Sequence, residues 1–352
     1  MTITVGSKAL KQFSIDLLTT VNVPRNDAEI IVECLVESNL RGIDSHGVMR
    51  LSIYVPRFNI GAMNPKPFVS VNDKSNISAV VDGDNGIGHL TGTISVQKAI
   101  NLAKDHGVGL VSTINSNHFG AAGYFSTMVA DNKMIGFSAS NTCPSMPAIG
   151  GKTPVVGNGP FSVAIPELSG RHICLDISTS AGAYGKILIA DRAGTKIPEG
   201  WAVDKFGVPT TDPQKAIESQ LLLPFSGHKG FGIAFLIDVL CSGFGNSYYG
   251  NEVYNIYEKG FGNKPGRVSH FFAAIQTDIF GFGKEFQKTI EGAKKFIHSS
   301  DLATGVDKVY FPGEKEWATK TERLKMGIPL PDNVAHELED MASAAAINIP
   351  WK

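Results

Sequence analysis

Residues 78–141, SAVVDGDNGIGHLTGTISVQKAINLAKDHGVGLVSTINSNHFGAAGYFSTMVADNKMIGFSASN, decide the fold. Short β-rich runs alternate with longer helical ones: SAVVDG, then TGTISVQKAINLAKDH, then VGLVSTIN, then AAGYFSTMVADN, then IGFSASN. Strand-length segments separated by helix-length segments are an α/β pattern. Gly107 stops the first helix, because glycine takes the left-handed conformation that ends helices.

On the N-terminal side the sequence predicts helices over 8–20 and 26–40, the second opening with an Asn26-x-x-Glu29 capping box and closing before Gly42. Between Gly61 and Asp82 the chain turns Pro- and Asn-rich (MNPKPFVSVNDKSN), a composition suited to a linker, and a domain boundary is expected there. On the C-terminal side, glycine and proline thicken from Pro144 to Leu223 and helical periodicity disappears. Short runs such as SVAIP and HICLDIS predict strands joined by long loops in a small separate lobe. SGHKGFG then leads into the apolar helix IAFLIDVLCSGF, and Phe271 to Ile279 reads as a strand. Residues 284–346 read as helical, with strand-like KVYFPG inside them, and the two helical ends are expected to pack together. There is no internal repeat and no low-complexity tract.

A chain of 352 residues, 43% of them hydrophobic, has room for two or three domains and a sizeable core. Lys and Arg number 32 against 33 Asp and Glu, with no dense basic run, so nucleic acid and membrane surfaces are not expected partners. A small molecule or a second copy of the chain is. Cys34, Cys143, Cys174 and Cys241 lie far apart without a C-x-x-C pair. That argues against a metal site or disulfide framework and fits a reducing cytoplasm. No basic region followed by a long apolar run opens the sequence, and no stretch of about 18 apolar residues occurs, so neither secretion nor membrane insertion is expected.

Three clusters carry chemistry. In RGIDSHGVMRLSIYVPR (41–57), a helix starting after Ser45 would put His46, Arg50, Tyr54 and Arg57 on one face: an acid/base, two cations and a phenol. Ser45 would cap that helix or set which ring nitrogen of His46 holds the proton. Pro56 would end or bend it near Val55. The plainer reading is an amphipathic helix turning its polar side to water. The second cluster is NSNHFGAAG (115–123), with His118 between a strand end and a helix start, where free amides and the helix dipole favour ligands. The third, SGHKGFG (226–232), offers successive amides and Lys229 to a phosphate. It also spells Ser226-x-x-Lys229, the spacing of serine acyl-transfer enzymes. Their companion motifs are missing: no Ser-Asp-Asn occurs, and Lys152-Thr153 is followed by Pro154. A Rossmann domain is disfavoured as well, since Gly243-x-Gly245 and Gly281-x-Gly283 lack the third glycine and the acidic partner.

Taken together, R-G-x-x-S-H-G at 41–47, N-H-F-G at 117–120, G-N-G-P at 157–160, D-I-S-T-S at 176–180 and G-x-K-G-F-G at 227–232 resemble the type-2 malate/L-lactate dehydrogenases. That family includes ureidoglycolate and sulfolactate dehydrogenases. W-A-V-D at 201–204 and P-T-T-D-P at 209–213 extend the resemblance over nearly the whole chain, and the segment from Trp201 to Pro213 resembles the ureidoglycolate branch.

The resemblance implies an α/β fold with a non-Rossmann cofactor domain built on a mixed, largely antiparallel sheet (76–143 with 224–283). It adds a helical domain from both chain ends (1–75 with 284–352), a smaller third lobe (144–223) and a homodimer. It implies His46, with Ser45 beside it, or His118 as the acid/base; Arg50 on a substrate carboxylate, a task suited to its planar fork; and Tyr54 and Asn158 lining the substrate. Thr142, Asp176, Ile177, Ser178, His228, Lys229, Gly230, Gly313 and Glu314 fall at cofactor positions, for NAD or NADP with NAD favoured. The expected activity is hydride transfer between that cofactor and a small 2-hydroxy or 2-oxo acid such as malate, lactate or ureidoglycolate. The alternatives are a cyclic imine or sugar-acid reductase of the same family, a serine acyl hydrolase using Ser226 and Lys229, and a non-catalytic binding protein that keeps the fold.

Overall fold

The structure is a computed structural model that describes residues 2–256 and 263–352. The chain opens with β1 (Thr2–Val5), α1 (Ser7–Thr19) and α2 (Arg25–Leu40), passes two 3-10 turns, and enters α3 (Leu51–Asn59). The predicted alternation follows as β2 (Ser70–Ser75), β3 (Ser78–Asp82), α4 (Gly88–His106), β4 (Val108–Ser116), α5 (Ala122–Asp131) and β5 (Met134–Ser140). Next come β6 (Met146–Pro147), β7 (Pro154–Val156), β8 (Phe161–Ile165), β9 (Ile173–Ile177), α6 (Tyr184–Arg192) and β10 (Ala202–Val203). After them lie β11 (Pro209–Thr210), α7 (Pro213–Ser219), β12 (Leu221–Leu222) and α8 (His228–Gly243). The chain closes with β13 (Val268–Gln276), α9 (Gly283–His298), α10 (Glu314–Met326), β14 (Ile328–Pro331) and α11 (Asp332–Ala344).

Among the described residues, seven strands form the main sheet in the order β2-β3-β4-β13-β5-β8-β9. Only the β3–β4 pair is parallel, so the sheet is mixed and largely antiparallel, as expected. β4 and β5 both run opposite to β13, which lies between them, and their carboxyl ends therefore finish side by side. β13 alternates its apolar residues between two cores, as a strand buried on both faces must. Phe272 and Ala274 meet Val96, Ile100, Phe125 and Val129 of α4 and α5. Phe271 and Ala273 meet Ile237 and Cys241 of α8. Gly107 ends α4 at φ 84, with its amide on Ala103 O. A separate core joins the two chain ends: Leu10, Leu18, Leu35, Leu51 and Phe58 pack with Ile328, Leu330 and Leu338, and β1 pairs with β14.

The structure corrects several local expectations. Asn26 is not a cap: α2 starts one residue earlier, behind Pro24, without a side-chain cap. The stretch read as a linker contains β2, whose six residues are all exposed at the sheet edge, which is why no apolar alternation marks it. The β8–β9 hairpin, expected in the small lobe, pairs into the main sheet through Phe161 opposite Ala139. Residues 144–223 also hold the helices α6 and α7, both too short for a periodic signal. KVYFPG forms no strand; Pro312 O accepts one bond from Cys174 N along the edge of β9. α3 continues through Pro56 to Asn59, one lost amide being outweighed by burial of Leu51, Tyr54, Val55 and Phe58.

Candidate active site

The segment after Ser45 is not one helix. It makes two 3-10 turns, Asp44–His46 and Val48–Arg50, separated by Gly47 in an extended conformation. Asn39 occupies the space a side chain would need there: its Oδ1 accepts from Val48 N at 2.9 Å, and a Cβ on Gly47 would lie 2.2 Å from that oxygen. The kink replaces the expected helical face yet gathers three of its four residues. Ser45 caps no helix, and its Oγ lies 3.0 Å from His46 Nδ1. Arg50 Nε donates to Ser45 O at 2.5 Å. Tyr54, 1% exposed, places its hydroxyl 2.5 Å from His118 Nδ1. The rings of His46 and His118 stack at 5.5 Å and 17°. Arg57 leaves the group and donates to Lys264 O at 3.0 Å.

His118 arrives from the end of β4 on a rigid loop. Fully buried Asn117 donates to Asn85 O and Gly86 O at 3.0 and 3.1 Å and accepts from Gly266 N at 3.1 Å. Beneath lies His89, absent from the sequence reading, with its ring 5.4 Å from Tyr54 and 6.3 Å from His118. Gly120, at φ 82, leaves room for it: a Cβ there would stand 2.7 Å from His89 Nε2. Burial lowers the pKa of His46 to about 3, Arg50 adding to the effect, and burial lowers His89 to about 3. Burial, then Arg50, holds His118 well below the usual imidazole range. The facing imidazoles are thus neutral near pH 7, each with one nitrogen able to donate and one able to accept.

A hydrogen-bonded ladder runs along the carboxyl end of the sheet from β5. Thr142 Oγ1 donates to Asn158 Oδ1 at 3.1 Å. Thr179 N donates to Asn158 O at 2.9 Å, and Phe225 N to Thr179 O at 2.9 Å. Ser178 Oγ lies 3.2 Å from Ser180 Oγ, and Ser180 bridges to Pro224. Thr142, Asn158 and Ser178 are thereby joined to the turn that opens α8, where His228 and Lys229 are exposed and Gly230 packs on Phe225 O. A second group surrounds β9. Asp176 accepts from Gly123 N at 2.8 Å at the start of α5, and burial raises its carboxyl to about 6. Ile177 pairs with Phe161. Gly313 (φ 90) lies against Cys174, while the Glu314 carboxylate is bound by His298 and Lys308 at 2.9 and 2.5 Å.

The chain resembles known dehydrogenases over nearly all of its length. It is 38% identical over 341 residues to the L-sulfolactate dehydrogenase of Methanocaldococcus jannaschii, covering 96% of each chain. It is 28% identical to the NAD(+) ureidoglycolate dehydrogenase of Escherichia coli K12, covering 94% of this chain and 93% of that one. The crystal structure of malate dehydrogenase from Entamoeba histolytica superposes with a TM-score of 0.93 at 30% identity, covering 99% and 100% of the two chains. Fold and relatives alike define an oxidoreductase. The chain belongs to the malate/L-lactate dehydrogenase family, which it matches over residues 5–339. This displaces the serine hydrolase at Ser226 and Lys229 and the non-catalytic binding protein.

Proposed function

We propose that the chain interconverts a small 2-hydroxy acid and its 2-oxo acid, with a second anionic group on the substrate as in malate or sulfolactate, and uses NAD. One observation carries the reading: two neutral imidazoles face each other with each Nδ1 held by a hydroxyl, next to a guanidinium. His118 is the acid/base. Its Nδ1–H donates to the buried Tyr54 hydroxyl, which leaves the Nε2 lone pair to take the proton of the alcohol during oxidation and return it to the carbonyl oxygen during reduction. His46, held by exposed Ser45, lines the opposite side. Arg50 pairs with the substrate carboxylate through its planar guanidinium, and Asn158 completes the wall towards the cofactor.

The residues present fit a nicotinamide dinucleotide, which when bound would accept the hydride in oxidation and supply it in reduction. The buried Thr179 hydroxyl has no hydrogen-bond partner among the described residues and lies inside the ladder from Thr142 to the α8 turn. In that turn the helix N-terminus and Lys229 suit a phosphate. Thr142, Ser178, His228, Lys229 and Gly230 would hold the cofactor directly, with Asp176, Ile177, Gly313 and Glu314 shaping the outer wall. We place the enzyme in the cytoplasm as a homodimer. Its four cysteines are free, and Phe235, Leu236 and Val239 of α8, with Phe244 just past its end, leave an exposed apolar stripe of the kind a second copy covers. The three-part division of the chain, with helical ends, central sheet and small lobe, belongs to the same reading.

The test is oxidation of NADH and NADPH by the purified protein with oxaloacetate, sulfopyruvate and pyruvate, and the reverse with malate, lactate and ureidoglycolate. Turnover is expected with NADH and a dianionic substrate. Cofactor binding without turnover of any of these acids would sink the substrate assignment, and absence of cofactor binding would sink the reading as a whole.

A further inference from the structure

The buried histidine His270 has no role in the proposed reaction. It sits on β13, 0% exposed, between β4 and β5. Its Nδ1 lies 2.9 Å from Ser140 Oγ and its Nε2 lies 2.9 Å from Ser116 Oγ. Ser140 is the last residue of β5, two before Thr142, and Ser116 is the last of β4, two before His118. In a regular strand Ser116 would face away from Thr113, which is paired with His270. The register shift between Val268/Ser116 and His270/Thr113, with Asn115 at φ 51, turns it back onto the imidazole. Re-aiming a side chain is what bulges beside functional sites do.

The two strand ends are held alike. Each finishes in Ser-Asn, and the asparagines grip the incoming β13 segment through Gly266 N on Asn117 Oδ1 at 3.1 Å and Ser269 N on Asn141 Oδ1 at 2.8 Å. Phe119, directly after His118, stacks on the His270 ring at 4.6 Å and 1°.

The geometry points to His270 as a positioning residue, a clamp whose two ring nitrogens fix the separation of the β4 and β5 ends and so the distance from the acid/base at His118 to the cofactor side at Thr142. This rests on the roles proposed above for those two residues. The clamp is not needed to satisfy its partners. Ser116 also bonds Thr91 Oγ1 at 2.7 Å, and Ser140 donates to Asn141 O at 2.8 Å. Removing the ring nitrogens therefore orphans neither hydroxyl, and what is lost is the tie itself. A neutral ring must donate on one side and accept on the other, so the clamp has a fixed polarity that a phenyl ring cannot copy.

The experiment compares wild type with His270→Phe, which keeps the ring and its stack, and with Ser116→Ala and Ser140→Ala, which cut one arm each. Melting temperature, NADH affinity by fluorescence, kcat, and the primary isotope effect from 4-deuterated NADH are measured on each, with His118→Ala as a control. H270F is expected to melt near wild type, to lose roughly 10- to 100-fold in kcat as misplaced reacting groups do, and to show a larger isotope effect. S116A should lower kcat with NADH affinity unchanged, and S140A should weaken NADH binding by roughly tenfold. Wild-type kcat and isotope effect in H270F overturn the proposal. So does a loss of activity that only follows a fall in melting temperature, the signature of a purely structural ring. If H270F does not fold, the serine variants decide: the split between kcat and affinity supports the clamp, and its absence overturns it. Normal turnover by H118A would instead overturn the underlying assignment of the acid/base.

Discussion

The histidine cluster and the α8 turn hold their polar groups in opposite ways. Around His118, Tyr54, Asn117 and His89 are buried, and the rings stack on one another. Around Lys229 the backbone is tied to Ser178–Ser180, while the side chains of Ser226, His228 and Lys229 stand in solvent. The histidine cluster is preorganised on buried supports; the α8 turn keeps its charge available for something that arrives. Acid/base chemistry gains from the first arrangement, since a fixed proton position needs no reorganisation during reaction. Binding a dinucleotide gains from the second, because exposed charge is cheap to keep and is paired only when the ligand is present.

The comparison breaks most severely at His118. His118→Ala is expected to lower kcat by roughly 10²- to 10⁴-fold, the range for a lost general acid/base, with NADH affinity unchanged by fluorescence titration. His46→Ala should cost less, because the hydroxyl holding it is on exposed Ser45 rather than buried Tyr54. The reverse ranking would exchange the two roles.

A smaller effect sharpens the buried side. His89 and His270 are fully buried, and burial lowers both from 6.5 to about 3. Between those values the unfolded chain binds a proton at each ring that the folded chain does not. Stability therefore falls as pH falls through that window, by roughly 1.4 kcal/mol per pH unit for each ring. Denaturant unfolding at a series of pH values from neutral downward should show this slope, and His89→Phe should remove one ring's share of it. An unchanged slope in that variant would mean His89 takes up its proton in the folded state.

The smallest effect is expected on the exposed side. Lys229→Ala should weaken NADH binding a few-fold and leave kcat at saturation nearly intact. The difference should vanish at about 1 M salt, where the screening length is roughly 3 Å. A difference that persists in high salt would place Lys229 in a buried contact rather than an exposed one.

What the sequence made legible follows the same division. The alternation over 78–141 predicted the sheet core because those strands are buried and their apolar residues repeat. β2 escaped because an exposed edge strand carries no such repeat. His46 and His118 stand in polar, glycine-flanked segments, where a histidine is conspicuous. His89 and His270 sit in GHL and VSHFF, among residues that read as core, so nothing local separated them from packing. The signal available was the repeated Ser-Asn at the ends of two predicted strands, Ser116-Asn117 and Ser140-Asn141. The kink at Gly47 was hidden because its cause is Asn39, whose amide fills the place of a side chain only once α2 is folded. That the kink gathers the residues a continuous helix was expected to gather is a result of packing that periodicity did not contain.

The pairing of β1 with β14 has a consequence for the order in which the protein is made. The residues of α1, α2 and α3 share their core with Ile328, Leu330, Val334 and Leu338, which are translated after the whole sheet. The strands β2 to β5 find their last core partner, β13, about fifty residues earlier in synthesis than the first helices find theirs. The N-terminal helices therefore wait with their apolar faces uncovered while the sheet assembles. The part of the chain that supplies His46, Arg50 and Tyr54 is made before the sheet and completed after it, so the finished enzyme is gated by the arrival of β14 and α11.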